Sequence, residues 1–414
     1  VVVVGGGAAG VGAAVGAAKA GARVVLIERY GFLGGMATAA QVGTICGLFL
    51  RESTGAGTWA VQGFPRELAE RLAQRSDTEP MSWRHGLRFL PYEPFALRLL
   101  CDEVLQEHGV DVRLHTSLIA VHGRPGGLTG VRALSWDRPL DLPCDALVDT
   151  TGTAAAATLA GASVRVDPVH QAPAIVFGLS GIGEVERLGL RLALLRAVRR
   201  AVAAGDLPDQ ALALSIVPGS HRGEHVLLKL GLIGGLPDAP DAITLAEQEA
   251  RRLVDRLTRV LRRHEPVFAK ARLVDVSSQI GVRTGRRLVG RTELTDDDVL
   301  HARPSAEGVA LGAWPVELWG EADQPEMIYP PEGAACEIPA GCLESVDRPG
   351  VYAAGRCLSA RTRAIAAVRV IGTCLATGYA AGTLAAAHAA GRDRGEAIAR
   401  AREALLPAGL SPRG

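Results

Sequence analysis

Apolar residues in this chain fall into short unbroken runs and longer stretches at helical spacing, and the first forty positions contain both. Val1–Val4 is unbroken, as in a parallel strand covered on both faces. Gly5–Gly10 is a tight turn, Val11–Gly21 is Ala-rich and helix-compatible, and Arg23–Ile27 is a second apolar strand that ends at Glu28. This succession predicts a βαβ unit. Farther on, Phe95, Leu99, Leu100, Val104 and Leu105 recur at helical spacing and predict a helix over 94–108, which Gly109 ends. Val110–Leu114 follows as a short strand. Ser117–Val121 and Gly130–Leu134 read as a small meander around a turn at Pro125. Ala146–Asp149 is another short apolar strand, and it runs into Thr150-Thr151-Gly152.

The middle of the chain changes style. Ala174–Leu179 and Val226–Leu230 are strand-like, while Leu188–Ala204 and Ile243–His264 read as amphipathic helices with arginines outside. From Gly350 the early pattern returns: a strand Val351–Ala354, then Gly355-Arg356, then an Ala/Gly-rich helix to Ala390. No internal repeat interrupts this order. It predicts an α/β fold in which a discontinuous Rossmann-like domain, residues 1–161 plus 350–414, carries an inserted α+β substrate domain, residues 162–349.

Composition narrows the class. At 414 residues the chain suits two cores, and with 48% apolar and 21% charged residues it is globular. A net charge of +1 provides no global field to attract nucleic acid or an anionic membrane, so neither partner is expected. Seven scattered cysteines, with no CxxC, argue against a disulfide framework or an iron–sulfur cluster and favour a reducing, cytoplasmic setting. His170, His221, His225 and His301 lack metal-ligand spacing, so no metal is expected. Val1–Val4 leads straight into glycines with no basic start, so no signal peptide is expected. The stretch from Val370 to Ala390 is long enough to span a bilayer, but its Ala, Gly and Thr content points to a buried helix instead.

Chemistry enters at the first turn. Gly5-x-Gly7-x-x-Gly10 follows a strand and opens a helix, where the first glycine turns the chain, the second admits a pyrophosphate and the third lets helix and strand approach. Phosphates would rest on the helix N-terminus. Glu28, at the end of the next strand, is placed to accept ribose hydroxyls. These features specify a dinucleotide without choosing between FAD and NAD. The Gly34-Gly35 doublet in Tyr30-Gly31-Phe32-Leu33-Gly34-Gly35-Met36-Ala37-Thr38 favours FAD, because backbone there can pass close to the cofactor.

With these residues the chain resembles the FAD-dependent oxidoreductases related to the fumarate reductase and heterodisulfide reductase flavin subunits. The resemblance extends through Val148-Asp149-Thr150-Thr151-Gly152, the segment from Gly281 to Gly290, and Leu294 to Val299. It closes with Val351 to Ala360, Val368-Arg369-Val370 and Thr373-Cys374. It implies non-covalent FAD, since no histidine stands beside the glycine doublet. It also implies FAD contacts at Gly5, Gly7, Ala9, Gly10, Glu28 and Arg29. Further contacts would come from Gly34, Gly35, Thr38, Leu118, Thr151 and Gly152, and from Gly355, Arg356, Val370 and Thr373. The helix after Gly355 would aim its N-terminus at the isoalloxazine ring.

Departures from that family bear on the reaction. Thr153 follows Gly152 where the family carries Asp, Arg361-Thr362-Arg363 stands for Thr-His-Glu, and Trp319 occupies a position of a common His. Two customary proton-transfer groups are therefore missing, and arginines stand in the flavin-bordering segments: Arg283, Arg286, Arg287, Arg361, Arg363 and Arg369. Arginine binds carboxylates through a fixed fork and stays charged. The expected reaction is hydride transfer between FAD and a small acidic molecule, with Arg369, Arg286, Arg283 and Arg361 as substrate-binding candidates. Arg369 leads because it interrupts an apolar stretch. His301 is a general-base candidate. The alternatives are an FAD-dependent monooxygenase, a non-catalytic or electron-transfer subunit of a larger redox complex, and a tRNA-modifying flavoprotein. The second electron partner and the oligomeric state are left open.

Overall fold

The structure is a computed structural model that describes residues 1–55, 57–124, 126–166, 171–232, 239–320 and 325–407. The predicted turn at Pro125 and His170, read as no metal ligand, lie outside the described residues. Strand β1 (Val2–Val4), helix α1 (Ala8–Lys19) and strand β2 (Val25–Ile27) form the expected βαβ unit. Helix α2 (Pro94–Glu107) leads to β3 (Asp111–Arg113). An antiparallel meander follows, of β4 (Thr116–Arg124), β5 (Gly127–Ser135) and β6 (Arg138–Pro143), and then β7 (Leu147–Asp149).

The middle supplies β8 (Ala174–Ser180), α3 (Arg187–Ala203), β9 (Leu214–Ile216), β10 (Val226–Gly231), α4 (Pro240–His264) and β11 (Arg272–Val276). The last part contains β12 (Val351–Ala353), α5 (Thr362–Val368) and α6 (Ile371–Ala389).

Five strands make a wholly parallel sheet in the order β12-β7-β1-β2-β3, with Val2 opposite both Leu147 and Val25 and Leu147 opposite Val351. Side chains alternate across it, as the strand period requires. Val3, Leu26 and Val148 join the core under α1 and α6. Val2, Val4, Ile27 and Leu147 join a second core with the meander residues Leu128, Val131 and Ala133. Both faces are thus covered, which is why these strands read as unbroken apolar runs.

Helices α1 and α6 pack backbone to backbone. A Cβ placed on Gly382 would lie 2.7 Å from the carbonyl carbon of Ala13, and one on Gly378 would lie 2.8 Å from that of Ala9. Gly12 and Gly16 of α1 meet the Leu375 and Tyr379 carbonyls in the same way. The Ala/Gly-rich stretch is therefore a buried core helix, as expected. Among the described residues no single helix is long and apolar enough to cross a membrane.

The second unit is an antiparallel sheet in the order β9-β10-β8-β11, roofed by α3 and α4. Ile175, Phe177, Leu228 and Leu230 point into the core beneath those helices. The alternate residues Val176 and Lys229, paired across the sheet, line a cavity on its other side. Chain that follows β11 does not stay with this sheet: Leu294, Val309, Ile338 and Leu343 pack into the core of the parallel sheet. The architecture is a Rossmann-like α/β domain, discontinuous in sequence, joined to an α+β unit.

Candidate active site

The cavity has a volume of about 500 Å³ and runs from the Gly5–Gly10 turn to the inner face of the β8/β10 sheet. Its first wall is backbone. Gly5 has φ 100°, and its N–H donates to the Ile27 carbonyl at 2.8 Å. A Cβ on Gly10 would lie 2.9 Å from both the Gly5 carbonyl carbon and Thr150 Oγ1. The Gly34-Gly35 doublet lies directly on this turn: the Gly34 N–H donates to the Gly6 carbonyl at 2.8 Å, and a Cβ on Gly35 would lie 2.7 Å from the Gly7 Cα. The fingerprint and the doublet, separate in sequence, form one cradle with no side chains.

Two helices begin at this cavity. Gly7 caps α1 and Val370 caps α6, neither with a side-chain hydrogen bond, and Ala8, Ala9, Val370 and Ile371 line the cavity. At α1 the first-turn N–H groups and the helix dipole are receptive to negative charge; at α6 the Gly372 N–H already donates to the Cys46 carbonyl (3.0 Å), and the dipole and the neighbouring N–H groups serve instead. Glu28 closes β2, its carboxylate accepting from the Gly6 N–H (2.6 Å) and the Tyr30 N–H (2.9 Å). Each oxygen keeps a further lone pair for a hydroxyl. Arg356 lies across Gly152 and donates to the Val282 carbonyl; burial pushes its guanidinium below the usual range. A bare glycine cradle, two uncapped helix ends and a buried carboxylate fit a dinucleotide carrying a pyrophosphate and a ribose.

Another part of the wall is charged. Glu317 accepts from the indole N–H of Trp314 (3.1 Å) and of Trp319 (2.6 Å). Arg369 donates through Nη2 to Gln171 Oε1 (3.1 Å) and to the Glu317 carbonyl (3.2 Å). Arg283 lies 4.4 Å and Lys229 Nζ 5.0 Å from the centre of the Trp319 ring, and Arg283 also donates to the Ala172 carbonyl. Burial raises the Glu317 pKa, but Arg369, the Trp314 N–H, Lys229 and Arg283 outweigh it and hold the carboxyl below its ordinary range.

The three cations are all lowered, by burial first. Arg369 then adds to this at Arg283, and Arg283 at Lys229, while Glu317 opposes the shift at each of the three. Three cations thus share one carboxylate. Arg369 Nε and Gln171 Nε2 are buried with no hydrogen-bond partner among the described residues. Buried positive charge without balance is costly, so an incoming anion would be stabilised here. The cavity's thiols do not supply a nucleophile: burial pushes Cys374 up to about 12 and Cys46 higher still.

The cavity gathers most of the sequence candidates. Gly5, Gly7, Ala9, Glu28 and Arg29 line it, as do Gly34, Gly35, Leu118, Thr151 and Gly152. Gly355, Arg356 and Val370 complete the cofactor group, and Arg283 and Arg369 stand on the charged wall. Gly10 lies behind the turn. Thr38 is buried, its hydroxyl donating to the Leu33 carbonyl at 2.6 Å, and Thr373 is buried without reaching the cavity.

Three catalytic candidates fall elsewhere. Arg361 is exposed and pairs with Glu293 (3.2 Å), His301 is exposed and pairs with Asp297 (3.1 Å), and Arg286 does not line the cavity. Arg363 faces Glu326 at 3.8 Å, and Arg287 is buried, donating to the Ala360 carbonyl. Proximity along the chain to flavin-bordering residues misplaced them. Lys229, Glu317 and Gln171 were not anticipated. Among the described residues no group of three or more metal-ligating side chains converges.

A parallel sheet with a glycine-rich turn, an acidic residue ending its second strand and a cavity beneath a second sheet defines a dinucleotide-binding enzyme. The chain belongs to the FAD dependent oxidoreductase family, whose model matches residues 1–401, and its cofactor is FAD. Over 97% of its length the fold is similar to a geranylgeranyl bacteriochlorophyll reductase-like protein from Thermoplasma acidophilum, at 13% identity and TM-score 0.50, covering 81% of that chain. It is equally similar to an anhydrotetracycline hydroxylase from Streptomyces rimosus, at 15% identity and TM-score 0.50, and spans 64% of that enzyme. These likenesses concern the fold. No curated protein matches the sequence.

Proposed function

We propose that this oxidoreductase transfers a hydride between FAD and a small acidic molecule whose negative charge is held by Arg369, Arg283 and Lys229. The observation that carries the reading is the charged wall, where three cations share the single carboxylate of Glu317. FAD supplies the two-electron chemistry. The chain's own residues bind and orient: the Gly5–Gly7 turn and the α1 N-terminus suit the pyrophosphate, and Glu28 suits a ribose hydroxyl. The α6 N-terminus and Arg356 favour negative charge beside them. Trp314 and Trp319 fix Glu317, and the Gln171 amide holds Arg369 in its fork geometry.

In this reading residues 1–161 with 350–414 hold FAD, and within residues 162–349 the β8–β11 sheet faces the substrate, while Leu294, Val309, Ile338 and Leu343 pack into the core of the FAD unit. The kinship with fumarate reductase and heterodisulfide reductase flavin subunits rests on the sequence segments quoted above. Seven free cysteines support a reducing, cytoplasmic setting.

The test begins with the visible spectrum before and after denaturation, which reads released FAD. Benzoate and malonate are then titrated into the holoprotein. A flavin difference spectrum should saturate, and Arg369→Ala should weaken the fitted affinity at least about tenfold with flavin retained. Equal affinities in the two proteins would remove the charged wall from the substrate site. Oxygen uptake matched to hydroxylated product would move the reading to a monooxygenase.

A further inference from the structure

Helix α3 roofs the second sheet with one face and leaves the opposite face bare. Leu190, Ala193, Leu194, Ala197, Val198 and Ala201 are buried against the sheet and α4. On the outward side Leu188, Leu192 and Leu195 are 65%, 46% and 40% exposed. Their i, i+4, i+7 spacing makes one stripe roughly 10 Å long.

Charge on this helix has a single sign: Arg187, Arg191, Arg196, Arg199 and Arg200, with no acidic residue between 187 and 203. Glu265 takes Arg196 (3.0 Å) and Arg200 (3.8 Å). Arg187, Arg191 and Arg199 are exposed, with no hydrogen bond or ion pair among the described residues. Isolated exposed leucines need no explanation, but a leucine stripe flanked by unpaired arginines does.

We infer that the outward face of α3 docks on an anionic lipid surface, its leucines at the acyl boundary and its arginines on the phosphates. The side chains suit the two depths, since arginine stems are apolar and long enough to keep the guanidinium at headgroup level. A second copy of the chain is a poorer occupant. Two α3 helices laid together would bring like arginines face to face, with carboxylates only at Glu184 and Glu186 just ahead of each helix. The chain's net charge of +1 does not oppose the contact, because the attraction is local and falls off within a Debye length.

The test is sedimentation of the full-length, FAD-loaded protein with vesicles of phosphatidylcholine alone or mixed with phosphatidylglycerol. Three unpaired arginines at about fivefold each predict partitioning on the order of a hundredfold stronger on the anionic vesicles at low salt. Added salt should erase most of it. The triple variant Leu188→Ser, Leu192→Ser, Leu195→Ser should lose at least tenfold of the vesicle binding while keeping the flavin spectrum and melting curve of the parent. R191E with R199E should abolish the preference for anionic vesicles. Equal or absent sedimentation with both vesicle types, or unchanged binding by the leucine variant, would overturn the inference. A wild-type dimer in ultracentrifugation that the leucine variant dissociates would also overturn it and assign the face to a second copy.

Discussion

Replacing Gly382 by Ala tests the contact on which the cofactor domain is built. The new Cβ would overlap the carbonyl oxygen of Ala13 and lie 2.7 Å from its carbonyl carbon, against an ordinary carbon–carbon separation of about 3.6 Å, so α1 and α6 would have to part by more than about 1 Å. Neither helix has room to move, since nearly all of both is buried. Overpacking of this kind costs up to about 3 kcal/mol. Alanine's better helix propensity returns about 1 kcal/mol. The net expectation is a loss of about 2 kcal/mol.

Unfolding entropy near 2.1 cal/mol/K per residue, scaled to this chain, converts that loss into a fall in melting temperature of roughly 2 °C. Circular dichroism melts of wild type and variant read it directly. Gly127→Ala is the control, because nothing lies within 4 Å of a Cβ there. A G382A protein that melts with the wild type would refute close backbone packing of the two helices. Gly378→Ala presses on Ala9, which lines the cavity, and should therefore weaken FAD retention more than G382A does.

Two further outcomes follow from the charged and polar groups. Lys229 is protonated below its pKa, and burial lowers that pKa from 10.5; benzoate affinity should therefore be greater on the acidic side and decline as pH rises, earlier than free lysine would titrate. Titrations from pH 6 to 10 should show a limb in wild type that Lys229→Met removes or shifts towards that of Arg283, which burial lowers to about 9; an identical profile in both would exclude Lys229 from the anion site. Glu28→Ala strands the Gly6 and Tyr30 N–H groups, costing about 1–3 kcal/mol. It should also raise the FAD dissociation constant at least about tenfold, measured by flavin fluorescence on refilling the stripped protein; unchanged affinity would mean that Glu28 serves the turn alone.

The sheet strands and long helices were legible because each carries its own periodicity: α2 ends within a residue of the expected boundary, and β10 spans Val226–Gly231. Strand β6 was not, because Pro139 and Pro143 break its strand pattern. It is the outer strand of the meander, where a missing N–H is tolerated. Helix α5 was also missed. The helix expected directly after Gly355-Arg356 is two helices bent by 97° at Arg369–Val370, and it is α6, not the first of the pair, that opens on the cavity.

In the site, Arg369 stood out as a charge inside an apolar run. Lys229 within Leu227-Leu228-Lys229-Leu230 and Glu317 between Val316 and Leu318 meet the same criterion. Arg361 and His301 do not: Arg361 stands before the polar Thr362-Arg363 and His301 follows Asp296–Asp298, and both are exposed. Pairing between distant segments, such as Trp319 with Arg283, has no local signature at all.

The order of the parallel sheet also bears on how the protein is made. Strand β1 and helix α1 leave the ribosome well before the helix that covers α1, which begins at residue 371. At 5–20 residues per second, roughly 20–70 s of synthesis separate the two. Throughout that interval the alanine and glycine face of α1 has no native cover, and the sheet lacks its last strand. The N-terminal unit, although it reads as a complete βαβ motif, can only wait, so its early fate rests with whatever shields apolar surface during translation.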